Sequence, residues 1–178
     1  MSTVKIVVIG PESSGKTTLV KQLASHFKAP FVAEFARQYL EKRTTHVYEI
    51  ADLENIARAQ VSQTKLALSK TPSLLFCDTD LITLHIWALD KFDQSIPFVE
   101  ENLRKEKADL YLLCAPDIVW EPDPLREDSN RRDMLFEWNS LALKSIDAKV
   151  EIISGQDDER TRKAILKVEE FLKSRSLI

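Results

Sequence analysis

Eight consecutive residues, Gly10-Pro11-Glu12-Ser13-Ser14-Gly15-Lys16-Thr17, have the spacing GxxxxGK[S/T] and are followed by a second threonine, Thr18. Glycines at the two ends let the backbone turn tightly enough for successive N–H groups to converge on one anion. The lysine adds a mobile positive charge, and the hydroxyl adds a hard oxygen donor. Such a set holds a polyphosphate: Lys16 reaches the β- and γ-phosphates and Thr17 ligates magnesium. Gly10, Glu12, Ser13, Ser14, Gly15, Lys16, Thr17 and Thr18 are therefore expected to bind ATP with Mg2+. The chain has only three glycines, Gly10, Gly15 and Gly155, where ordinary usage of about 7% would place roughly twelve. Two of the three fall in this one motif, which argues against a chance turn.

A phosphate loop needs an acidic partner for its metal, normally at the end of a neighbouring apolar strand. The run Leu74-Leu75-Phe76-Cys77-Asp78-Thr79-Asp80 supplies two carboxylates at i and i+2. They share a face if the strand persists to Asp80 and diverge if it ends at Asp78. Asp78 is assigned to the metal. Asp80 is assigned to the acceptor side, with the N-cap of the following helix as its structural alternative. Glu34 and Arg37 come at the end of the second apolar run, where a carboxylate could take a proton from a hydroxyl and an arginine could hold substrate or phosphate. A surface salt bridge between the two is the plainer alternative. Arg126, Arg131 and Arg132 follow the fourth apolar run. They are suited to a closing lid that neutralises a transferring phosphoryl group, Arg126 and Arg131 in catalysis and Arg132 on the nucleotide. A solvated charged loop would have the same composition.

The elements that must position these residues alternate. Apolar runs at 4–10, 30–35, 73–79, 109–115 and 149–155 read as strands. Between the first two, Leu19, Val20, Leu23 and Phe27 form one face of a crossover helix. A long helix is expected over 48–70, after a short one at 36–43, a further helix carries Leu135, Trp138 and Leu141 on one stripe, and another covers 157–174. The pattern predicts an α/β P-loop NTPase fold: one domain over 1–178, with a five-stranded, mainly parallel sheet, helices on both faces and a lid at about 117–133.

Composition narrows the function. A net charge of −3 argues against a nucleic-acid partner, which needs clustered excess Lys and Arg. The sequence enters an apolar strand at once, leaving no room for a signal peptide or membrane span, so a cytoplasmic location without membrane partners is expected. Cys77 and Cys114 sit in apolar runs and read as buried thiols. A GTPase would need Asp-x-x-Gly after its third strand, but Asp78 is followed by Thr79, Asp80 and Leu81. No Asn-Lys-x-Asp stretch and no glycine-rich transporter signature is present either. A small-molecule kinase remains.

Taken in order, GPESSGKTT at 10–18, EFARQYL at 34–40, FCDTDLIT at 76–83, DLYLLCAPDIVWEPDPLR at 109–126 and GQDDER at 155–160 resemble the blocks of the ribosylnicotinamide kinase domain of the NadR family. The resemblance covers essentially the whole chain. It implies ATP-dependent phosphorylation of the 5′-hydroxyl of a small nucleoside, nicotinamide riboside, to the mononucleotide in NAD salvage. The adenylyltransferase and DNA-binding domains of longer family members are expected to be missing. It also implies that Trp120, unless it is a packed lid-hinge aromatic, lies near the substrate ring with Asp123 and Asp80 around it, and that Gly155 lets a loop approach the adenine. Another nucleoside or nucleotide kinase, or a regulatory module that only binds nucleotide, would share the same core.

The phosphate loop makes one forecast that needs no structure. Lys16→Ala should leave a folded protein, because Lys16 faces phosphate, and should lower the transfer rate by two to three decades, the effect of losing about 3 to 4 kcal/mol of transition-state stabilisation. Circular dichroism together with acceptor-dependent ADP release measures both; normal turnover would refute the assignment.

Overall fold

Parallel strands cannot be joined by tight turns, so a chain that alternates apolar runs with amphipathic segments must cross over its own sheet at every step. The computed structural model describes residues 3–43, 47–122 and 130–175. Its elements are β1 (Val4–Ile9), α1 (Lys16–Phe27), β2 (Phe31–Val32), α2 (Phe35–Glu41), α3 (Ile50–Leu68), β3 (Leu74–Asp78), α4 (Leu81–Phe92), α5 (Pro97–Asn102), β4 (Leu110–Cys114), α6 (Arg132–Ser145), β5 (Val150–Ile153) and α7 (Asp157–Ser174). The strands form one sheet in the order β2-β3-β1-β4-β5, and every neighbouring pair is parallel.

Both faces of the sheet are covered, which is why its central strands read as unbroken apolar runs. On one face Val4, Ile6 and Val8 of β1 pack with Leu19, Val20 and Leu23 of α1 and Ala164, Val168 and Phe171 of α7. The alternate residues Val7 and Ile9 turn to the other face, against Ile82 and Ile86 of α4 and Leu135 and Leu143 of α6. A third apolar cluster joins α2, α3, α4 and α5 through Leu53, Ile56, Leu84 and Val99. No helix among the described residues is long and apolar enough to cross a membrane.

Three elements differ from the sequence expectation. β2 is two residues long rather than six, because the side chain of Gln60 takes over the next backbone groups. Phe35 N–H donates to Gln60 Oε1 (2.8 Å) and Gln60 Nε2 donates to Ala33 O (3.3 Å). Glu34 is therefore the N-cap of α2, and Arg37 lies within that helix rather than at a strand end. On α6 the inward stripe is Leu135, Asn139 and Leu143; Trp138 is partly buried, whereas Leu141 is 62% exposed. The short α5, opened by Pro97 at its first turn, is an addition.

The end of β3 decides between two carboxylates. β3 ends at Asp78, and Thr79 adopts φ 63, a left-handed conformation that breaks strand alternation. Asp78 and Asp80 consequently diverge. Asp80 caps α4: Ile82 N–H donates to Oδ1 (2.9 Å), and the fully buried Tyr111 donates its hydroxyl to Oδ2 (2.7 Å). Burial raises the Asp80 pKa, opposed by these two hydrogen bonds.

Asp80 thus stabilises the join between α4 and β4, and Asp80→Ala should be costly. It removes a cap worth about 1 kcal/mol and leaves the Tyr111 hydroxyl buried without its acceptor, at about 1 to 3 kcal/mol. Urea denaturation should show a loss of about 2 to 4 kcal/mol, with Asp80→Asn milder. Unchanged stability would show that the carboxylate has another purpose.

Candidate active site

β1 lies between β3 and β4, so the loop leaving its C-terminal end opens at the point where the sheet's strand order reverses, the usual ligand crevice of open α/β sheets. Gly10 has φ 146, and a Cβ there would stand 2.7 Å from Cys114 O; only glycine lets the loop pass the end of β4 this closely. Gly15, at φ 78, is the N-cap of α1 and makes no side-chain cap, which leaves the first-turn N–H groups of that helix to an anion. Lys16 Nζ and Ser14 Oγ both donate to Pro11 O at 2.7 Å.

Thr17 and Asp78 are brought together across the sheet. Register places Val8 of β1 beside Asp78 of β3, and Thr17 Oγ1 donates to Asp78 Oδ2 at 2.6 Å. Asp78 is buried, and its Oδ1 has no partner among the described residues. Burial raises the Asp78 pKa, with the Thr17 hydrogen bond and the Lys16 charge opposing. A hydroxyl and a carboxylate with one spare buried oxygen are hard donors, few in number. They fit a magnesium ion that keeps most of its shell from phosphate and water.

A cleft of about 620 Å³ runs to both sides of this loop, within the range of small-molecule sites. One branch passes Thr18, Gln22, Val119, Gln156, Asp157, Asp158 and Arg160; the other passes Glu34, Arg37, Tyr48, Trp87, Asp90 and Asn139. Glu34 stands in the electrostatic field of Lys16, Asp78 and Arg37. Burial raises its pKa, Lys16 opposes, and the Asp78 charge adds to the rise. Gln60 clamps the backbone on both sides of Glu34 and so fixes its direction. Deeper in this branch, Trp87 Nε1 donates to the Tyr48 hydroxyl (2.9 Å), the two rings meeting edge to face. Thr83 Oγ1 and Asn139 Oδ1, both buried, lack partners among the described residues.

The sequence-derived residues divide accordingly. Gly10, Glu12, Ser13, Ser14, Gly15, Lys16, Thr17, Thr18, Glu34 and Arg37 all line the cleft, and Asp78 joins them through Thr17. Arg37 pairs with Glu41 at 3.3 Å, not with Glu34. Asp80 is not brought to the cleft, because it is turned away at Thr79 to cap α4. Trp120 is absent from the cleft lining; the Arg132 guanidinium lies 5.8 Å from its ring. Arg132 itself donates to Ser13 O (3.1 Å) and Ile118 O (2.9 Å), so it holds backbone. Arg131 makes a two-pronged ion pair with Asp90. Gly155 is held by Asp117 (2.6 Å) and leaves the lining to the residues after it. Asp123 and Arg126 lie outside the described residues. The sequence reasoning overlooked Tyr48, Trp87, Asp90, Asn139 and Arg160. Trp87 and Asp90 sit on α4, which carries no motif of its own, and Arg160 closes a block in which the acidic residues stand out as a helix start.

A parallel five-stranded sheet, a glycine-bounded phosphate loop and an acidic residue on the adjacent strand define an α/β P-loop NTPase fold. Within that class the chain belongs to an AAA domain family (AAA_28), whose model matches residues 5–160, and it is NadR-like. It is 24% identical over 157 residues to the trifunctional NAD biosynthesis/regulator protein NadR of Escherichia coli (strain K12), covering 86% of this chain and 38% of that protein. A crystal structure of NadR protein in complex with NR superposes with a TM-score of 0.79 at 27% identity, covering 95% of this chain and 49% of that one. NadR in complex with NAD and AMP-PNP gives 0.75 at 25% identity, over 96% and 50% of the two chains. Thymidylate kinase from Ehrlichia chaffeensis, at 17% identity and a TM-score of 0.60 over 97% of this chain and 100% of that one, shares the fold. The chain spans well under half the length of its curated relative.

The raised pKa of Glu34 has a measurable consequence. Burial opposes its charged form in the folded state, so the stability it contributes is complete below the ordinary value of 4.5 and is lost as pH rises through the higher folded pKa. Glu34→Gln removes that titration. The nucleotide-free variant should melt above wild type at pH 8, with the difference vanishing below 4.5. A Tm difference independent of pH would contradict the burial of this carboxylate.

Proposed function

We propose that this domain is a kinase that transfers the γ-phosphoryl group of ATP to the 5′-hydroxyl of a small nucleoside, nicotinamide riboside. The observation that carries it is Glu34: a partly buried carboxylate beside Lys16, its backbone fixed by Gln60, between the phosphate loop and an aromatic-lined branch of the cleft. A P-loop protein that only binds nucleotide has no need of a desolvated base there. The NadR complexes with NR and with AMP-PNP support both the acceptor and the donor.

In this reading the loop amides and Lys16 hold the β- and γ-phosphates in line with the acceptor oxygen. Thr17 and Asp78 would hold magnesium, which when bound supplies neutralising charge on the phosphates. Glu34 accepts the proton of the 5′-hydroxyl as its oxygen bonds to the γ-phosphorus and the bond to ADP breaks. A general base works best with a pKa moved toward the working pH, which is the direction burial gives Glu34. Tyr48 and Trp87 offer the acceptor branch an aromatic wall with Asp90 near it, surroundings suited to a cationic pyridinium ring. They take the place expected for Trp120. Arg126 and Arg131 remain the proposed lid cations, Arg131 reaching the phosphoryl group only on leaving Asp90. The domain is proposed to span 1–178, in the cytoplasm.

A panel of nucleosides assayed with ATP and magnesium tests this. Nicotinamide riboside should have a higher kcat/KM than uridine, cytidine, adenosine or thymidine. Trp87→Ala should erode that preference by about tenfold, a loss of about 1.4 kcal/mol, and Trp120→Ala should have a smaller effect. A neutral nucleoside or a nucleoside monophosphate winning the panel would refute the acceptor; no transfer to any acceptor would refute the kinase.

A further inference from the structure

Three carbonyls of the phosphate loop are held by side chains. Pro11 O accepts from Ser14 Oγ and Lys16 Nζ, Ser13 O accepts from Arg132 NH1 at 3.1 Å, and Ser14 O accepts from Arg160 NH2 at 2.9 Å. A trans peptide is planar, with its C=O and the following N–H pointing in opposite directions. Pinning a carbonyl therefore commits the next amide to the other side. Arg132 sets the direction of the Ser14 N–H in this way, and Arg160 that of the Gly15 N–H.

Arg160 has the most extensive contacts. Its side chain is only 6% exposed. NH1 donates to Asp117 Oδ1 (2.9 Å), Ile153 O (3.1 Å) and Gly155 O (3.1 Å), while NH2 donates to Ser14 O and to Ala115 O (2.7 Å). The ends of β4 and β5 and the phosphate loop are thus gathered on one guanidinium. Anchoring the start of α7 would need only Ile153, Gly155 and Asp117; the Ser14 bond reaches 146 residues back along the chain. Nε is buried without a partner among the described residues and lies 3.7 Å from where a Cβ on Gly15 would stand. A donor and its positive charge are therefore left beside the loop, in the wall of the cleft.

We propose that Arg160, with Arg132 in support, is a positioning residue for the phosphate cradle: by holding the Ser14 and Ser13 carbonyls, the two arginines present the Gly15 and Ser14 amides to the polyphosphate. This gives Arg132 a role behind the loop instead of on the nucleotide. It rests on the proposed binding of ATP. A loop so held forms its nest of N–H donors before the anion arrives, so binding does not have to order it. Lysine is a poor substitute, because one ammonium cannot span carbonyls that a planar fork reaches together.

The three glycines make the test direct, since protein labelled with 15N only at glycine gives three amide resonances, from Gly10, Gly15 and Gly155. AMP-PNP with magnesium is titrated into wild type, Arg160→Met, Arg160→Lys and Arg132→Met, each checked for folding by its melting curve. In wild type the Gly15 resonance should move strongly on binding. Arg160→Met should bind about tenfold or more weakly and lose at least half of that Gly15 movement, with Arg160→Lys recovering part of both. Arg132→Met should also bind more weakly but keep the Gly15 movement. A folded Arg160→Met with wild-type affinity and a wild-type Gly15 response overturns the role. Should Arg160→Met not fold, Arg132→Met decides, and unchanged affinity there overturns it. Failure of the wild-type protein to bind AMP-PNP overturns the nucleotide reading itself, and this role with it.

Discussion

The register between β1 and β3, which sets Val8 opposite Asp78, is the constraint on which the site depends. It brings a carboxylate from the middle of the sequence to the threonine of the phosphate loop, and a shift by one residue would turn Asp78 to the opposite face. Apolar burial on both sides of the sheet holds the register, since Ile6, Val7, Val8, Leu75 and Phe76 are all fully buried. The close pass of Gly10 over Cys114 O adds a second limit, from β4. Between these neighbours the loop has little freedom in where it can lie.

Around that fixed point the cleft is electrostatically divided. Burial raises the pKa of both Glu34 and Asp78; Lys16 opposes the rise at Glu34, and the Thr17 hydrogen bond followed by the Lys16 charge opposes it at Asp78. Asp90, with its side chain only 4% exposed, is compensated differently, by Arg131 at the start of α6. The thiols take no part: burial pushes Cys114 up to about 11 and Cys77 up to about 12.

The two ends of the stretch from β4 to α6 meet at a single residue of the loop. Glu121 N–H donates to Ser13 Oγ (3.0 Å), and Arg132 holds the carbonyl of the same serine. Ser13 has φ 50, and these bonds on its side chain and backbone help hold a conformation that an L-residue seldom adopts unaided. Geometry at the phosphate loop is therefore shared with Glu121 and Arg132.

The sequence by itself determined the phosphate loop, the alternating parallel architecture and the choice of β3 as the source of the carboxylate that meets Thr17. These rest on local physics: glycine conformations within eight residues, hydrophobic periodicity within one element, an acidic residue where an apolar run stops. Tertiary structure decided what depends on distant partners. Asp80 became a cap because Thr79 turns left-handed and Tyr111 awaits it across the sheet, while Glu34 entered the cleft at a helix start because Gln60, on another helix, ended β2 early. Trp87 lines the cleft and Trp120 does not, although nothing in their local sequences separates them. Arg132 and Arg160 lie 119 and 146 residues from the phosphate-loop carbonyls they hold. Their side chains are charged in any arrangement, but which backbone group they reach is set only when β4 and β5 come to rest beside β1.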